Sequence, residues 1–422
     1  MQPARRVFNS AGTFTCRGCL TRLARQHQQC RAFSGSVPRH AAPARPSPAG
    51  LAQLSSRKLI SVSGPDAAKY LQGVITANLF PGPPGPNPPL RSDAGFYAAF
   101  LTAQGRVLHD VFIYRDVRDT SNPPGHSWLL EVDAAEADRL QKHIRRYKLR
   151  ARFDVRLLDD GEGQVWQAWD DNPSSSISQL SNLGSSSSNS NSMITIPDTR
   201  APNLGYRVLT FSPSTPNSLP IDNIPPVEED AYTLRRYLHG IPEGQAEILR
   251  EQALPHESNI DRMGGIDFRK GCYVGQELTI RTEHRGVVRK RILPCLLYRE
   301  QADATPPPPP AGLAYAPEIE KGLTAEMVPP EASIGRVGKK GRSAGKWLRG
   351  MGNLGLALCR LEIMTDVVLP GEPGGVGYKE GDEFVVGLGQ QEGEEGGEGR
   401  KVKIKAFVPE WLRSGLLNRE GH

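Results

Sequence analysis

The feature of this sequence that most clearly indicates a chemical role is a cysteine between two glycines. Residues 269–277 read RKGCYVGQE and place Cys272 between Gly271 and Gly275. Glycines let a ligand approach the backbone closely and let backbone N–H groups point at it. The arginine and lysine just before the cysteine favour the thiolate, the form that binds metal or attacks an electrophile. The segment therefore predicts a functional thiol, and the alternative is a glycine turn around an incidentally buried cysteine.

The other cysteines do not form a set that suggests disulfides or zinc. Cys295 and Cys359 lie in apolar runs typical of strands, so we expect both to be buried as small hydrophobic side chains. Three more lie in the first fifty residues, where Cys16 and Cys19 have no second CxxC pair to complete a zinc site. An odd number of widely spaced cysteines after residue 50 is not a disulfide framework either.

The basic charge of the chain is concentrated at its N-terminus. The formal net charge is +6, but residues 1–50 contain eight arginines and no acid, and removing those eight charges leaves −2. An acid-free segment rich in Arg and Ser is typical of a mitochondrial transit peptide, and residues 31–34, RAFS, fit a matrix-processing site. We predict a transit peptide over residues 1–50 and a location in the mitochondrial matrix; a basic disordered tail is the alternative. No apolar stretch is long enough to span a membrane.

Two glycine-rich segments do not fit nucleotide binding. Residues 341–347, GRSAGKW, have three residues between the glycines and a tryptophan after the lysine. A P-loop has four residues between its glycines and a Ser or Thr hydroxyl for magnesium. Residues 387–389, GLG, lack the third glycine of a dinucleotide fingerprint.

The octapeptide KGCYVGQE resembles a family motif. It is formed by Lys270, Gly271, Cys272, Tyr273, Val274, Gly275, Gln276 and Glu277. It matches the K-G-C-Y-x-G-Q-E motif of the YgfZ family, whose mitochondrial branch consists of iron–sulfur assembly factors related to the glycine-cleavage T-protein, an aminomethyltransferase. Further segments that resemble this family lie at residues 59–66, 70–78, 105–110, 198–207, 240–244, 254–257 and 355–362. The resemblance thus covers nearly the whole chain beyond the leader.

This resemblance implies a fold and a function. The fold is a T-protein-like cloverleaf of three parts around a folate-sized cavity, with the cysteine motif near its mouth. The function is late assembly of [4Fe–4S] clusters together with A-type scaffold proteins. The implied client enzymes are of the aconitase type and the radical-SAM type, such as lipoate and biotin synthases.

The resemblance also implies a pocket for tetrahydrofolate. The T-protein carries two acids at the end of its first hairpin, and here the corresponding pair is His109-Asp110, so one acid is left. A single carboxylate can hydrogen-bond a folate nitrogen or act as a base. The alternative is a strand-end aspartate without a ligand. The candidate pocket residues are Asp110, Thr76, Asn78, Arg200 and Tyr206.

Three hypotheses about function follow. In the first, Cys272 supplies one ligand to a [2Fe–2S] or [4Fe–4S] cluster within a partner complex. In the second, the chain is a folate-dependent one-carbon transferase that uses Asp110. In the third, it is an RNA-associated protein that uses the basic residues 285–291, but the net charge of −2 beyond the leader does not favour a large phosphate-binding surface.

Short strands and two amphipathic helices must position these residues. Residues 96–102 and 107–114 are apolar runs separated by AQGR, which predicts a hairpin. A helix is predicted from Asp133, and a second over Glu228–His239 with Gly240 at its end. The inner stripe of the first helix is predicted to be Ala137, Leu140, Ile144 and Tyr147.

Further strands are predicted over residues 128–132, 153–158 and 165–169. Residues 278–282 fit a helix by charge spacing and a strand by β-branched alternation. Between Ile334 and Val408, short strands alternate with glycine turns, which predicts a small β-barrel. The fold class is therefore α+β, with mostly antiparallel sheets and flanking helices.

These patterns divide the chain into three regions. Residues 1–50 are the transit peptide, residues 51–285 a folate-binding T-protein-like region of two subdomains, and residues 286–413 a C-terminal barrel domain. Low-complexity insertions lie near residues 81–89, 173–192, 301–311 and 389–399. Because such segments bury little apolar surface, we expect them to be disordered surface loops.

Overall fold

The structure is a computed structural model that describes most of the chain after residue 43. The described residues are 44–80, 94–123, 125–172, 177, 193–211, 224–299, 312–338, 341–369, 377–379, 381–389 and 400–417. The four insertions lie outside the described residues, apart from Ile177 and Gly389, and so does the leader up to residue 43. Among the described helices, none is long and apolar enough to cross a membrane.

The first part of the chain contains ten strands and four α-helices within the described residues. In chain order they are β1 (Ala49–Gln53), β2 (Arg57–Ser63), α1 (Ala67–Val74), β3 (Gly95–Leu101), β4 (Val107–Arg115), β5 (Ser127–Asp133), α2 (Ala137–Tyr147), β6 (Asp154–Leu157), β7 (Gln164–Asp170), β8 (Met193–Pro197), β9 (Tyr206–Thr210), β10 (Pro226–Val227), α3 (Glu229–His239) and α4 (Gln276–Arg285). They form two five-stranded sheets, ordered β3-β4-β5-β2-β6 and β10-β1-β7-β9-β8.

Both sheets are antiparallel except for the short parallel pair between β10 and β1. All seven residues of β3 are buried. One face of this strand packs against α1 and α2, and the other face contributes to the core that it shares with the second sheet. A strand covered on both faces is apolar at nearly every position, which explains the continuous run in the sequence.

The helices confirm two predictions and correct one. The second predicted helix is α3, which ends at Gly240 in the left-handed conformation (φ 71°). On α2 the predicted stripe is buried at three positions, but Tyr147 is 52% exposed. It is the last residue of the helix, and its ring packs against His143 at 4.7 Å instead of entering the core. Residues 278–282, for which the sequence allowed either a helix or a strand, belong to a helix, α4.

The C-terminal part is a closed barrel. Its elements are β11 (Lys290–Tyr298), β12 (Ser333–Arg336), β13 (Gly345–Met351), β14 (Leu354–Arg360), α5 (Leu361–Met364), β15 (Phe384–Gly387), β16 (Lys401–Ala406) and α6 (Glu410–Leu417). The strands close in the order β11-β14-β13-β12-β15-β16. Trp347, Cys295 and Cys359 are fully buried in its core, as predicted for the two cysteines, whose Sγ atoms lie 3.8 Å apart.

Candidate functional site: the Cys272 turn

Cys272 is exposed, unlike Cys295 and Cys359. It lies in the turn of residues 270–275 that leads into α4, and we call this segment the Cys272 turn. The interpretation of Cys272 as an incidentally buried cysteine is therefore wrong. An exposed thiol contributes little to packing, so its place in the turn needs a reason other than core stability.

Lys270 anchors the Cys272 turn to the end of α1. Its Nζ donates hydrogen bonds to the carbonyl oxygens of Gln72 (2.8 Å), Ile75 (2.6 Å) and Ala77 (3.0 Å). Backbone carbonyls at a helix C-terminus lack partners within the helix, and a lysine ammonium with three donors satisfies several at once. The Lys270 ammonium thus makes three hydrogen bonds to backbone carbonyls at the end of α1. The Val274 N–H adds a bond to the Gly73 carbonyl (3.0 Å).

Gly275 lets the Cys272 turn pack against the β3–β4 turn. It adopts φ 80°, and a methyl group at its Cα would overlap the carbonyl oxygen of Thr102. A residue with a side chain would be strained there both by the backbone conformation and by the contact. The turn is closed by the Gln276 Oε1, which accepts a hydrogen bond from the Tyr273 N–H (3.1 Å). Tyr273 itself is buried in the core between the sheets.

The octapeptide therefore divides into a scaffold and a presented thiol. Lys270, Tyr273, Gly275 and Gln276 hold the turn. A Cβ at Gly271 would meet no atom within 4 Å, so the backbone beside Cys272 is open to an incoming group. Glu277 is exposed on the first turn of α4. A thiolate held on such a turn can ligate a metal or cluster whose other ligands come from a second molecule.

One group of metal-ligating side chains occurs within the described residues, and it does not include Cys272. It consists of His256, Asp261 and Glu283. Asp261 is bound by both terminal nitrogens of Arg291, at 2.8 and 2.9 Å. Burial alone would raise the pKa of Asp261, but Arg291 outweighs burial and holds it well below its usual value. This carboxylate thus already has a cation, and the group is best described as an ion-pair cluster.

Asp110 is fully buried on β4 between the two sheets. Its Oδ1 accepts a hydrogen bond from the Gly244 N–H (3.2 Å), and its Oδ2 lies 3.5 Å from Arg57 Nη1. Burial raises the pKa of this carboxyl, because the charged form loses its hydration, and Arg57 only partly opposes the shift. Both oxygens thus face groups of the protein itself.

Of the other four pocket candidates, Arg200 interacts electrostatically with Asp110, while Thr76 and Asn78 use their polar atoms within the protein. The Thr76 hydroxyl bonds to the Gly265 carbonyl and the Ala99 N–H. The Asn78 Oδ1 accepts from Gln72 and from the Phe80 N–H.

Arg200 and Tyr206 both line a cleft of about 950 Å³ beside the second sheet, and Arg200 also binds Asp198 and Glu243. Neither this cleft nor a second, larger one of about 1020 Å³ is lined by Asp110 or Thr76.

A buried ion network surrounds Asp110, and sequence reasoning did not identify it. Glu243 is its hub: Oε2 accepts from Arg200 (2.7 Å), Arg207 (2.6 Å) and the Tyr232 hydroxyl (2.8 Å). Glu131 continues the network to Arg57 and Arg207. Charged residues inside the apolar strands β2, β4, β5 and β9 were the available signal, because a charge at a core position requires a partner of opposite sign.

Comparison with known proteins decides the family. A protein from Chaetomium globosum named iron-sulfur cluster assembly factor IBA57 homolog, mitochondrial, is 69% identical over 450 residues, covering 100% of both chains. A protein of the same name from Neurospora crassa is 51% identical over 437 residues, covering 98% of this chain and 93% of that protein. The chain belongs to this family of mitochondrial iron–sulfur cluster assembly factors.

The resemblance predicted from the octapeptide is thus confirmed, and so is the mitochondrial localisation. Residues 289–414 of the assembly factor match the family described as CAF17, C-terminal beta-barrel domain. The fold is similar to the crystal structure of the glycine cleavage system aminomethyltransferase T from Bartonella henselae, with a TM-score of 0.54, 12% identity and 87% of each chain covered. This likeness confirms the predicted T-protein-like α+β architecture.

Proposed function

We propose that this assembly factor acts late in the assembly of [4Fe–4S] clusters in the mitochondrial matrix, and that the Cys272 thiolate is one ligand of a cluster held with a partner. The observation that carries the proposal is the exposed thiol on a turn that Lys270, Tyr273 and Gly275 hold in place. The names of the relatives support the pathway.

A partner is required because one cysteine cannot complete a cluster. An iron–sulfur cluster is held by about four cysteine or histidine ligands. Cys295 and Cys359 are buried in the barrel core, so they do not reach a cluster at Cys272 without opening the barrel. An A-type scaffold protein, which the family resemblance implies, would supply the remaining ligands, and aconitase-type enzymes and lipoate and biotin synthases would receive the product.

The tetrahydrofolate site predicted around Asp110 does not fit the arrangement of the described side chains. Asp110 faces Arg57 and Gly244, and Thr76 uses its hydroxyl within the protein. A folate would have to reach a carboxylate that is fully buried and already contacts Arg57 and Gly244. We therefore derive no step through folate, and one-carbon transfer by Asp110 has no support from the geometry.

RNA binding has no support from the geometry either. The basic stretch 285–291 does not form one surface, because Arg291 is buried against Asp261 and Val288 is buried as well. A phosphate backbone is recognised by several accessible cations in a row.

The proposal is tested with Cys272→Ser and Cys295→Ser. The full chain is mixed anaerobically with an A-type scaffold, iron and sulfide, and the complex is isolated and its visible absorption and circular dichroism are recorded. We expect the wild type to give a cluster-bearing complex, and Cys272→Ser to remain folded but to hold no more cluster than the scaffold alone. Neither the wild type nor Cys272→Ser should hold a cluster when the scaffold is absent.

Cys295→Ser is the control, because it removes a thiol that the barrel buries. It should lower the melting temperature and leave the cluster-bearing complex intact. If Cys272→Ser forms the complex as well as the wild type does, the thiol is not a cluster ligand and the proposal is wrong.

A further inference from the structure

A cationic cleft lies beside the Cys272 turn. It has a volume of about 1020 Å³ and is formed by α1, α2, the β3–β4 turn and residues 250–251. We call it the basic cleft. Two carboxylates, Asp66 and Glu251, and five cations line it. The cations are Lys69, Arg139, Lys142, Arg146 and Arg250.

Three of these cations form no ion pair within the part of the chain that the structure describes. No carboxylate of the described residues lies within ion-pair distance of Lys69, Lys142 or Arg146. Asp66 attracts Lys69 electrostatically, but its hydrogen bond comes from the Arg152 backbone N–H (2.8 Å). The basic cleft is therefore positive on a chain whose net charge beyond its leader is −2.

The cations of α2 form a row. Arg139, Lys142 and Arg146 are spaced three and four residues apart, so they share one face of the helix. At 1.5 Å per residue the row is roughly 10 Å long. Carboxylates at every second residue of an extended chain are about 6.8 Å apart, so two acidic side chains of one segment can reach it. The half-exposed ring of Tyr147 at the end of the row offers an apolar contact.

The basic cleft is continuous with the Cys272 turn. Val274, two residues after the cysteine, lines it and is 44% exposed. The helix α1 forms one wall through Lys69, and the carbonyls at its C-terminal end hold Lys270. A protein that places a ligand at Cys272 would therefore cover Val274 and lie next to the cationic row.

We propose that the basic cleft receives an acidic segment of the protein that supplies the remaining cluster ligands at Cys272. The inference rests on the proposed function, since it identifies the docking surface for the same partner. The positive charges are spread over two helices and a loop instead of converging on one point, and this distribution suits a peptide segment better than a small anion.

The test measures binding of the iron-free A-type scaffold, so that docking is separated from cluster formation. Affinity is determined by calorimetry for the wild type and for the triple variant Lys69→Gln/Lys142→Gln/Arg146→Gln. We expect the triple variant to bind about tenfold more weakly, because three exposed charge contacts are lost. Wild-type binding should weaken as salt is raised.

A matched control removes three exposed cations of the barrel, Lys321→Gln/Arg400→Gln/Lys401→Gln, and should bind like the wild type. The proposal is overturned if the cleft variant and this control bind alike, or if the wild type does not bind the iron-free scaffold. It is also overturned if inorganic pyrophosphate binds the cleft and the scaffold does not compete with it. If the cleft variant loses scaffold binding, the docking proposal is supported whether or not Cys272→Ser loses the cluster. The two proposals can therefore fail separately.

Discussion

Burial determines the protonation of single residues in this protein, and His109 is a clear example. It is fully buried on β4, and Arg250 Nη1 donates to its Nε2 at 3.2 Å. Loss of hydration and the positive charge of Arg250 together lower the pKa of His109 to about 3. His239, at the end of α3, is similar: burial and Arg235 lower its pKa to about 4. Both imidazoles therefore stay neutral in the folded protein at any pH near neutrality.

A neutral buried histidine makes stability depend on pH. Below the ordinary pKa of 6.5 the unfolded chain takes up a proton at His109 and the folded chain does not, so stability falls as pH falls from 6.5 towards 3. At pH 5 this residue alone should cost about 2 kcal/mol relative to pH 7.5. In His109→Gln, whose amide oxygen can still accept from Arg250, the loss of stability between pH 7.5 and pH 5 should be smaller by that amount.

Urea denaturation at the two pH values measures the difference. The control is His284→Gln, which makes the same substitution at a histidine exposed on α4. Equal pH dependence in His109→Gln and wild type would mean that His109 is protonated in the folded state, contrary to its burial.

At the scale of elements, the position of Cys272 depends on how one turn packs against another. The Cys272 turn contacts the end of α1 through Lys270 and the β3–β4 turn through Gly275. These contacts join the start of α4 to a helix and a hairpin that lie more than 160 residues earlier in the sequence. A small change in either contact should therefore move the thiol.

Gly275→Ala tests this packing. The left-handed backbone and the overlap with the Thr102 carbonyl should together destabilise the protein by roughly 1–3 kcal/mol. Thermal denaturation gives the stability, and the rate at which Cys272 reacts with a thiol reagent gives its exposure. We expect a lower melting temperature and an altered rate.

The matched control is Gly271→Ala in the same turn, where a methyl group would enter open space. It should change the melting temperature little. If the two alanine variants have the same stability, the close approach at Gly275 does not hold the turn.

At the scale of the whole molecule, a buried ion network joins the two sheets. Arg57, Asp110 and Glu131 belong to the first sheet, and Arg207 to the second. Glu243, in the segment after α3, contacts Arg207 and Arg200. Burial alone would raise the pKa of Glu243, but Arg207 and Arg200 outweigh it and hold the pKa well below its usual value.

Glu243→Gln should therefore be severely destabilising. It removes the negative charge that three buried hydrogen bonds share, so that Arg200 keeps only Asp198 and Arg207 keeps only Glu131 as a carboxylate partner. Removing one partner of a buried ion pair typically costs about 3–5 kcal/mol. Urea denaturation at pH 7.5 measures the loss. Asp160→Asn is the control, because Asp160 pairs with Lys58 on the surface, where water screens the charges, and it should have little effect. Comparable stability in the two variants would contradict a structural role for the network.

Local patterns in the sequence determined much of this architecture. The β3–β4 hairpin, helices α2 and α3 and the barrel strands follow from apolar periodicity and from glycines at element ends, because such signals act over a few residues. The octapeptide led to the family and to Cys272, since its residue types are specific even without coordinates.

Only the tertiary structure decided the environment of each candidate. Cys272 is exposed, while Asp110 is fully buried and contacts Arg57 and Gly244 from distant parts of the chain. The sequence favoured Lys270 as a stabiliser of the thiolate, but three of its hydrogen bonds go to the end of α1. Burial and charge pairing depend on which segments meet in space, and a residue's neighbours in sequence do not contain that information.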